Sequence, residues 1–347
     1  MHGHTVFHHS ASVLCLLCCY MPTPNLAEGP PIPSINFPLH DSREVRELQK
    51  ITVPFEYFGE HIYVTLTING TAGMVFLVDT GTSANILNLH TSQALGLKPE
   101  NVTRTKDLGL GGGKVSVAAA RNLDVDMGDV QVANILALVD LSGLENFNNH
   151  RTDGILGFPL LKRFVVEFDF QQHLLTLYPI KRYRYRGPGE VQYLSHKDRF
   201  AAIPVTLCTT DHRRHDAMVE FDTGSDATLM LYPEFARRAH LEDTFRQSAD
   251  KKSHDLKGYG IGGFFPLESG ELRFMAMRNT EITALPIFLI ETNSQLAPRK
   301  QVSGIVGTSI LNLYRKVIFD IPGGRIILER RNVPAPRQEI GMTHFIR

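Results

Sequence analysis

Short runs rich in Val, Ile, Leu and Phe recur along the chain, set apart by Gly, Asn and Pro, and this punctuation predicts a mostly β architecture. The order of the runs repeats. Val64-Thr65-Leu66 opens an alternating stretch, Asn69-Gly70 supplies a type I′ hairpin signal, and apolar residues 74–78 lead into Asp79. Val205-Thr206-Leu207 opens a second such stretch, residues 209–214 form its polar turn, and the largely apolar strand 217–221 leads into Asp222. Each Asp begins an Asp-Thr-Gly triplet, and the two triplets lie 143 residues apart (222 − 79).

The segments beyond each triplet also match. Short helices are expected at 91–97 and 233–241. Glycine-rich hairpin tips come next, Gly109-Leu110-Gly111-Gly112-Gly113 and Gly258-Tyr259-Gly260-Ile261-Gly262-Gly263. Gly154-Ile155-Leu156-Gly157 is then matched by Gly304-Ile305-Val306-Gly307. Each block leads into a short amphipathic turn and a strand carrying Phe168-Asp169 or Phe319-Asp320. Ordered matches of this kind describe an internal duplication. The expected lobes are 46–183 and 184–347, behind an N-terminal leader and Pro-rich segment, 1–45.

Composition narrows the class. Lys+Arg and Asp+Glu both number 36, so the formal net charge is zero and gives no global attraction to nucleic acid or an anionic membrane. The basic run 181–186, interleaved with tyrosines, falls where one lobe gives way to the next and reads as a solvated connector. Cys15, Cys18 and Cys19 sit in the apolar run 13–20, so removal of the N-terminal segment would leave Cys208 alone and no intrachain disulfide possible. That run, with the Pro-rich residues 21–38 behind it, resembles the apolar part of a secretory signal, although its leader carries histidines in place of Lys or Arg. A secreted or periplasmic location is the expectation and a cytoplasmic one the alternative. No other apolar stretch is long enough for a spanning helix.

Other chemistries find little support. His61, His173, His196, His212, His215, His240 and His254 show no metal-ligand spacing. The glycine tips lack the Gly-Lys-Ser/Thr ending of a phosphate loop, and Ser225 and Ser303 form no nucleophile elbow. No metal or other cofactor is expected.

One Asp-Thr-Gly is a weak signal; two in matched repeats, each ending an apolar strand and each followed by a hydroxyl residue, are not. Two carboxylates held close together cannot both ionise readily, so one keeps a proton and the pair supplies acid and base at once. It titrates as a unit. Gly81 and Gly224 let the backbone turn and bring N–H groups toward the carboxylates, and Thr82 and Ser225 are able to donate hydroxyl hydrogen bonds to the charged form.

The paired Asp-Thr-Gly-Thr/Ser and apolar-apolar-Gly blocks resemble those of the pepsin/retropepsin superfamily of aspartic peptidases, over nearly all of residues 50–330. The resemblance implies a bilobal pepsin-like (acid protease) fold, with two pseudo-twofold-related β-barrel lobes and a cleft between them. It implies a catalytic pair of Asp79 and Asp222, with Thr80 and Thr223 each bonding to the opposite lobe. It also implies that the glycine tips, including Gly111, Gly112, Tyr259, Gly260 and Gly262, are flaps over substrate. The chain looks closer to retropepsin-like members, because each glycine-rich tip lies a short way after its Asp (109 − 79 = 30; 258 − 222 = 36). The first lobe lacks the flap tyrosine of pepsins, and Tyr259 is a candidate counterpart in the second. The expected function is an aspartic endopeptidase acting on a peptide or protein, with a monomer sufficient for a complete site. The alternative is a catalytically silent or self-limited pepsin-fold peptide-binding protein.

Overall fold

A hairpin opens each half of the computed structural model, which describes residues 12–14, 50–105, 110–111, 113, 115–195, 201–241, 244–245, 256–290 and 302–331. In the first, His61–Ile68 pairs with Thr71–Val78 across Asn69-Gly70. Both turn residues have positive φ (48° and 81°), as a type I′ turn requires. In the second, Ala202–Thr209 pairs with Arg214–Phe221. Both return strands are exposed at the turn and become fully buried toward their last residues. That gradient follows their sequence, more polar at the start and mostly apolar toward the end apart from the buried Glu220, and it drives the chain inward just where Asp79 and Asp222 begin.

The apolar-apolar-Gly blocks complete the repeat. Gly154–Leu156 runs parallel to Thr71–Val78 and antiparallel to Ile86–Asn88. Gly304–Val306 takes the equivalent place between Arg214–Phe221 and Leu229–Leu231. The expected helices appear at Leu89–Ala94 and Pro233–Arg238, the first shifted two residues toward the N-terminus because Asn88 caps it. Among the described residues the strands form two eight-stranded sheets, one per lobe, and a six-stranded sheet that joins them. The segment Ser12–Leu14 adds to the second-lobe sheet as a parallel partner of Lys257–Gly260. The cysteines and histidines of the leader lie outside the described residues.

The joining sheet pairs Phe164–Asp169 of the first lobe antiparallel to Tyr314–Asp320 of the second. Phe168 and Phe319, picked out by the repeat, meet edge to face at 5.8 Å. Charges flank this contact. Lys316 Nζ lies 2.6 Å from Glu167 and 3.5 Å from Asp169, and Arg315 bonds Glu329. The basic run 181–186 is only partly the solvated connector expected. Its Lys and Arg side chains are exposed, but Tyr183 is buried, and the Tyr185 hydroxyl donates to Glu329 at 2.8 Å. The alternation of basic and aromatic residues therefore pins the crossover to the joining sheet.

Removing Lys316 takes the ammonium from two nearly buried carboxylates and leaves Glu167 with the Tyr178 hydroxyl as its neutral donor. Lys316→Met is expected to destabilise the protein by about 2 kcal/mol in urea unfolding, below the usual cost of breaking a buried pair because the lysine keeps some solvent contact. Adding Glu167→Gln should recover part of the loss, and additive losses would contradict the pairing.

Candidate active site

Asp79 and Asp222 stand at the ends of the two buried strands, each with its backbone N–H held by the block beneath it. Asp79 N donates to Leu156 O at 2.8 Å, and Asp222 N to Val306 O at 2.9 Å. The following threonines then cross between lobes. Thr80 Oγ1 donates to Phe221 O at 2.8 Å, and Thr223 Oγ1 donates to Val78 O at 2.7 Å. Each hydroxyl also accepts the opposite threonine's N–H, at 3.1 and 3.0 Å. Four buried hydrogen bonds thus fix the separation of the two loops, and each would leave a desolvated polar group if broken.

The carboxylates meet over this grip. Gly81 N donates both to Asp79 Oδ1 at 2.8 Å and to Asp222 Oδ1 at 3.1 Å, so one N–H reaches both acids. Asp79 Oδ1 also accepts from Thr82 N at 2.9 Å, and Asp222 Oδ1 from Gly224 N at 2.9 Å. A Cβ on Gly81 would overlap the Asp222 carboxylate, and one on Gly224 would overlap that of Asp79. Each acid lies against the other lobe's glycine, and only glycine leaves room. Both carboxyls are fully buried, and burial is the largest cause raising their pKa above the ordinary 3.8. For Asp79 the neighbouring Asp222 charge raises it further.

The two hydroxyl residues behave differently. Thr82 Oγ1 donates to Asp79 Oδ2 as expected. Ser225 does not mirror it: its Oγ accepts Ala227 N at 3.3 Å, and Asp222 Oδ2 has no hydrogen-bond donor among the described residues. Serine lacks the branch methyl that restricts threonine about χ1, so its hydroxyl is free to turn to the backbone.

The glycine tips of the two lobes meet. Gly113 N donates to Gly262 O at 2.9 Å, and Gly262 N to Leu110 O at 2.8 Å. The tips then pack into opposite lobes. Leu110 is buried with Met230, Tyr232 and Phe265, whereas Tyr259 and Ile261 pack on the first-lobe cluster that includes Leu141 and Leu144. Tyr259 stacks on Phe147 at 5.0 Å, with Phe264 edge-on to it at 4.9 Å. Gly111 (φ 112°) and Gly260 lie at this contact, and a Cβ on either would overlap the facing tip's backbone. Gly112 and Gly109, also expected in the flap, lie outside the described residues.

Gly143 and Phe147 join the site with no signal in the sequence to announce them. Both lie on the helix Ser142–Asn148, against the Tyr259 ring, and no motif marks a helix that packs on a distant tip. Cys208 is buried, with its Sγ 3.6 Å from Thr209 O. Among the described residues no cluster of His, Cys, Asp or Glu is arranged to hold a metal ion, and no helix is long and apolar enough to cross a membrane.

Residues 64–160, which carry the first triplet, match the aspartyl protease family. No curated protein matches the chain at a significant level. Among solved structures, the aspartic proteinase from Irpex lacteus superposes with a TM-score of 0.52 at 13 % identity, covering 83 % of this chain and 99 % of that one. The chain thus has the bilobal fold of the aspartic proteinase it superposes on, and its residues 64–160 match the aspartyl protease family.

Proposed function

We propose that the chain is an aspartic endopeptidase in which Asp79 and Asp222 share one proton. The ionised partner takes a proton from water as the water oxygen attacks the scissile carbonyl carbon. The protonated partner gives its proton to the amide nitrogen as the C–N bond breaks. The observation that carries this reading is the single Gly81 N–H that reaches both buried carboxylates. The reading needs no metal or covalent intermediate.

Two opposed glycine tips, bonded to each other, favour a retropepsin-like arrangement over one with a single flap. An extended peptide or protein segment entering beneath them would gain strand-like backbone hydrogen bonds, and the closed tips would exclude water from the reaction. Both acids come from one chain, so a monomer suffices. The proposal retains a leader at 1–45, lobes at 46–183 and 184–347, and a secreted or periplasmic location.

Offered a peptide library, the protein should cleave at mildly acidic pH, and Asp79→Asn or Asp222→Asn should each lower the rate by about a thousandfold or more. Cleavage that survives either change removes the pair from the mechanism and leaves a peptide-binding role.

Burial of the pair also has a stability signature. Folded pKa values above the unfolded 3.8 mean that its stabilising contribution is complete below that pH and is lost as pH rises through the folded values. Asp79→Asn should therefore melt a few degrees higher than the parent protein at neutral pH. The gain should shrink as the pH falls toward about 4 and be absent below it. A neutral-pH melting temperature equal to or below the parent's contradicts this.

A further inference from the structure

We propose that the first-lobe turn at residues 58–61, acting with Thr308, is a positioning element for Asp222; the proposal rests on the catalytic pair assigned above. The turn joins Glu56–Phe58 to His61–Ile68 and reaches the second lobe's acid loop. Gly59 and Glu60 both have positive φ (55° and 62°), a conformation unfavourable for a non-glycine residue. Glu60 is held there at both ends. Its carboxylate accepts from the Tyr57 hydroxyl at 2.6 Å, and its carbonyl accepts from Thr308 Oγ1. The Thr308 hydroxyl also lies 2.8 Å from Ser225 O, and Thr308 N donates to that same carbonyl at 2.8 Å. One hydroxyl thus sits between the first-lobe turn and the residue three positions after Asp222.

His61 forms the second arm. It is fully buried, with Nδ1 2.6 Å from Gly59 O, while Nε2 faces the Gly224 backbone without closing a hydrogen bond. Burial lowers its pKa to about 4 despite the opposing pull of the Gly59 carbonyl, so the ring is neutral at mildly acidic pH and Nδ1–H is the donor to Gly59.

The arrangement is one-sided. In the repeat that aligns Val64 with Val205, Ala202 stands where His61 does, and in the one that aligns Gly157 with Gly307, Phe158 stands where Thr308 does. Phe158 N donates to Thr82 O at 2.7 Å, but its side chain has no hydroxyl to bridge the lobes. The acid that lacks a donor from its own loop hydroxyl, Asp222, is thus the one whose loop gains this additional contact from the opposite lobe.

The test is steady-state peptide hydrolysis by the full chain, with rates expressed per folded molecule. Thr308→Val should lower kcat about tenfold while KM stays within about twofold, and Thr308→Ser, which keeps the hydroxyl, should recover most of kcat. His61→Asn keeps a donor near Gly59 O but removes the ring edge toward Gly224, and it should show the same loss confined to kcat, which keeps the test open where Thr308→Val does not fold. Unchanged kcat in Thr308→Val and His61→Asn, with Asp222→Asn inactive, overturns the positioning role alone. Equal losses in Thr308→Ser and Thr308→Val overturn it too. Cleavage that persists in Asp222→Asn overturns the catalytic pair and this inference with it.

Discussion

The two threonine hydroxyls that cross between lobes are the constraint on which the site depends. Thr80 and Thr223 each donate to a backbone carbonyl of the opposite strand and accept the opposite N–H. All four groups are buried, so separation of the lobes would expose or orphan them together. This closed set of bonds holds two acidic residues side by side in a place where either would be expensive to ionise. Most of the surrounding structure serves that placement. The buried strand ends deliver the loops, the apolar-apolar-Gly blocks hold Asp79 N and Asp222 N, and the joining sheet fixes one lobe against the other.

Much of this was legible in the sequence because it rests on short-range rules. Asn69-Gly70 specifies its turn, the polar-to-apolar gradient of 71–78 specifies which end is buried, and repetition specifies that everything occurs twice. Gly81 and Gly224 were also readable as the residues that aim N–H groups at the carboxylates, though not that each lies too close to the opposite acid for a Cβ. The parts that were not legible depend on contacts between distant segments. Nothing near Gly143 or Phe147 announces that Tyr259 will lie on them, and nothing near His61 announces the second acid loop. Ser225 shows the limit of reasoning by symmetry. It matches Thr82 in the motif, yet its hydroxyl takes a backbone donor instead of serving the carboxylate.

Duplication therefore supplies an approximate twofold, and the departures from it carry information. The tips exchange side chains reciprocally but not equivalently: Leu110 enters the second lobe as an aliphatic plug, whereas Tyr259 enters the first as a stacked ring. The acid loops differ in the same spirit, one steadied by its own threonine and the other approached from the neighbouring lobe. A two-chain homodimer could not fix such differences by sequence. A single chain carrying both halves is free to do so, and inequivalent surroundings give two chemically identical acids the different environments that the proposed sharing of one proton would use.

The central claim is that residues 79 and 222 behave as one titrating unit. Carboxyl carbon chemical shifts of aspartate, labelled with 13C and followed from pH 2 to 9, test it most directly, with Asp222→Asn used to identify the Asp79 signal. The account predicts that in the parent protein both signals move together in each of two steps, one of them well above the ordinary carboxylate range, and that replacing either acid collapses the two steps into one. Two independent single-step titrations near the ordinary value, each indifferent to the loss of the other residue, would contradict it.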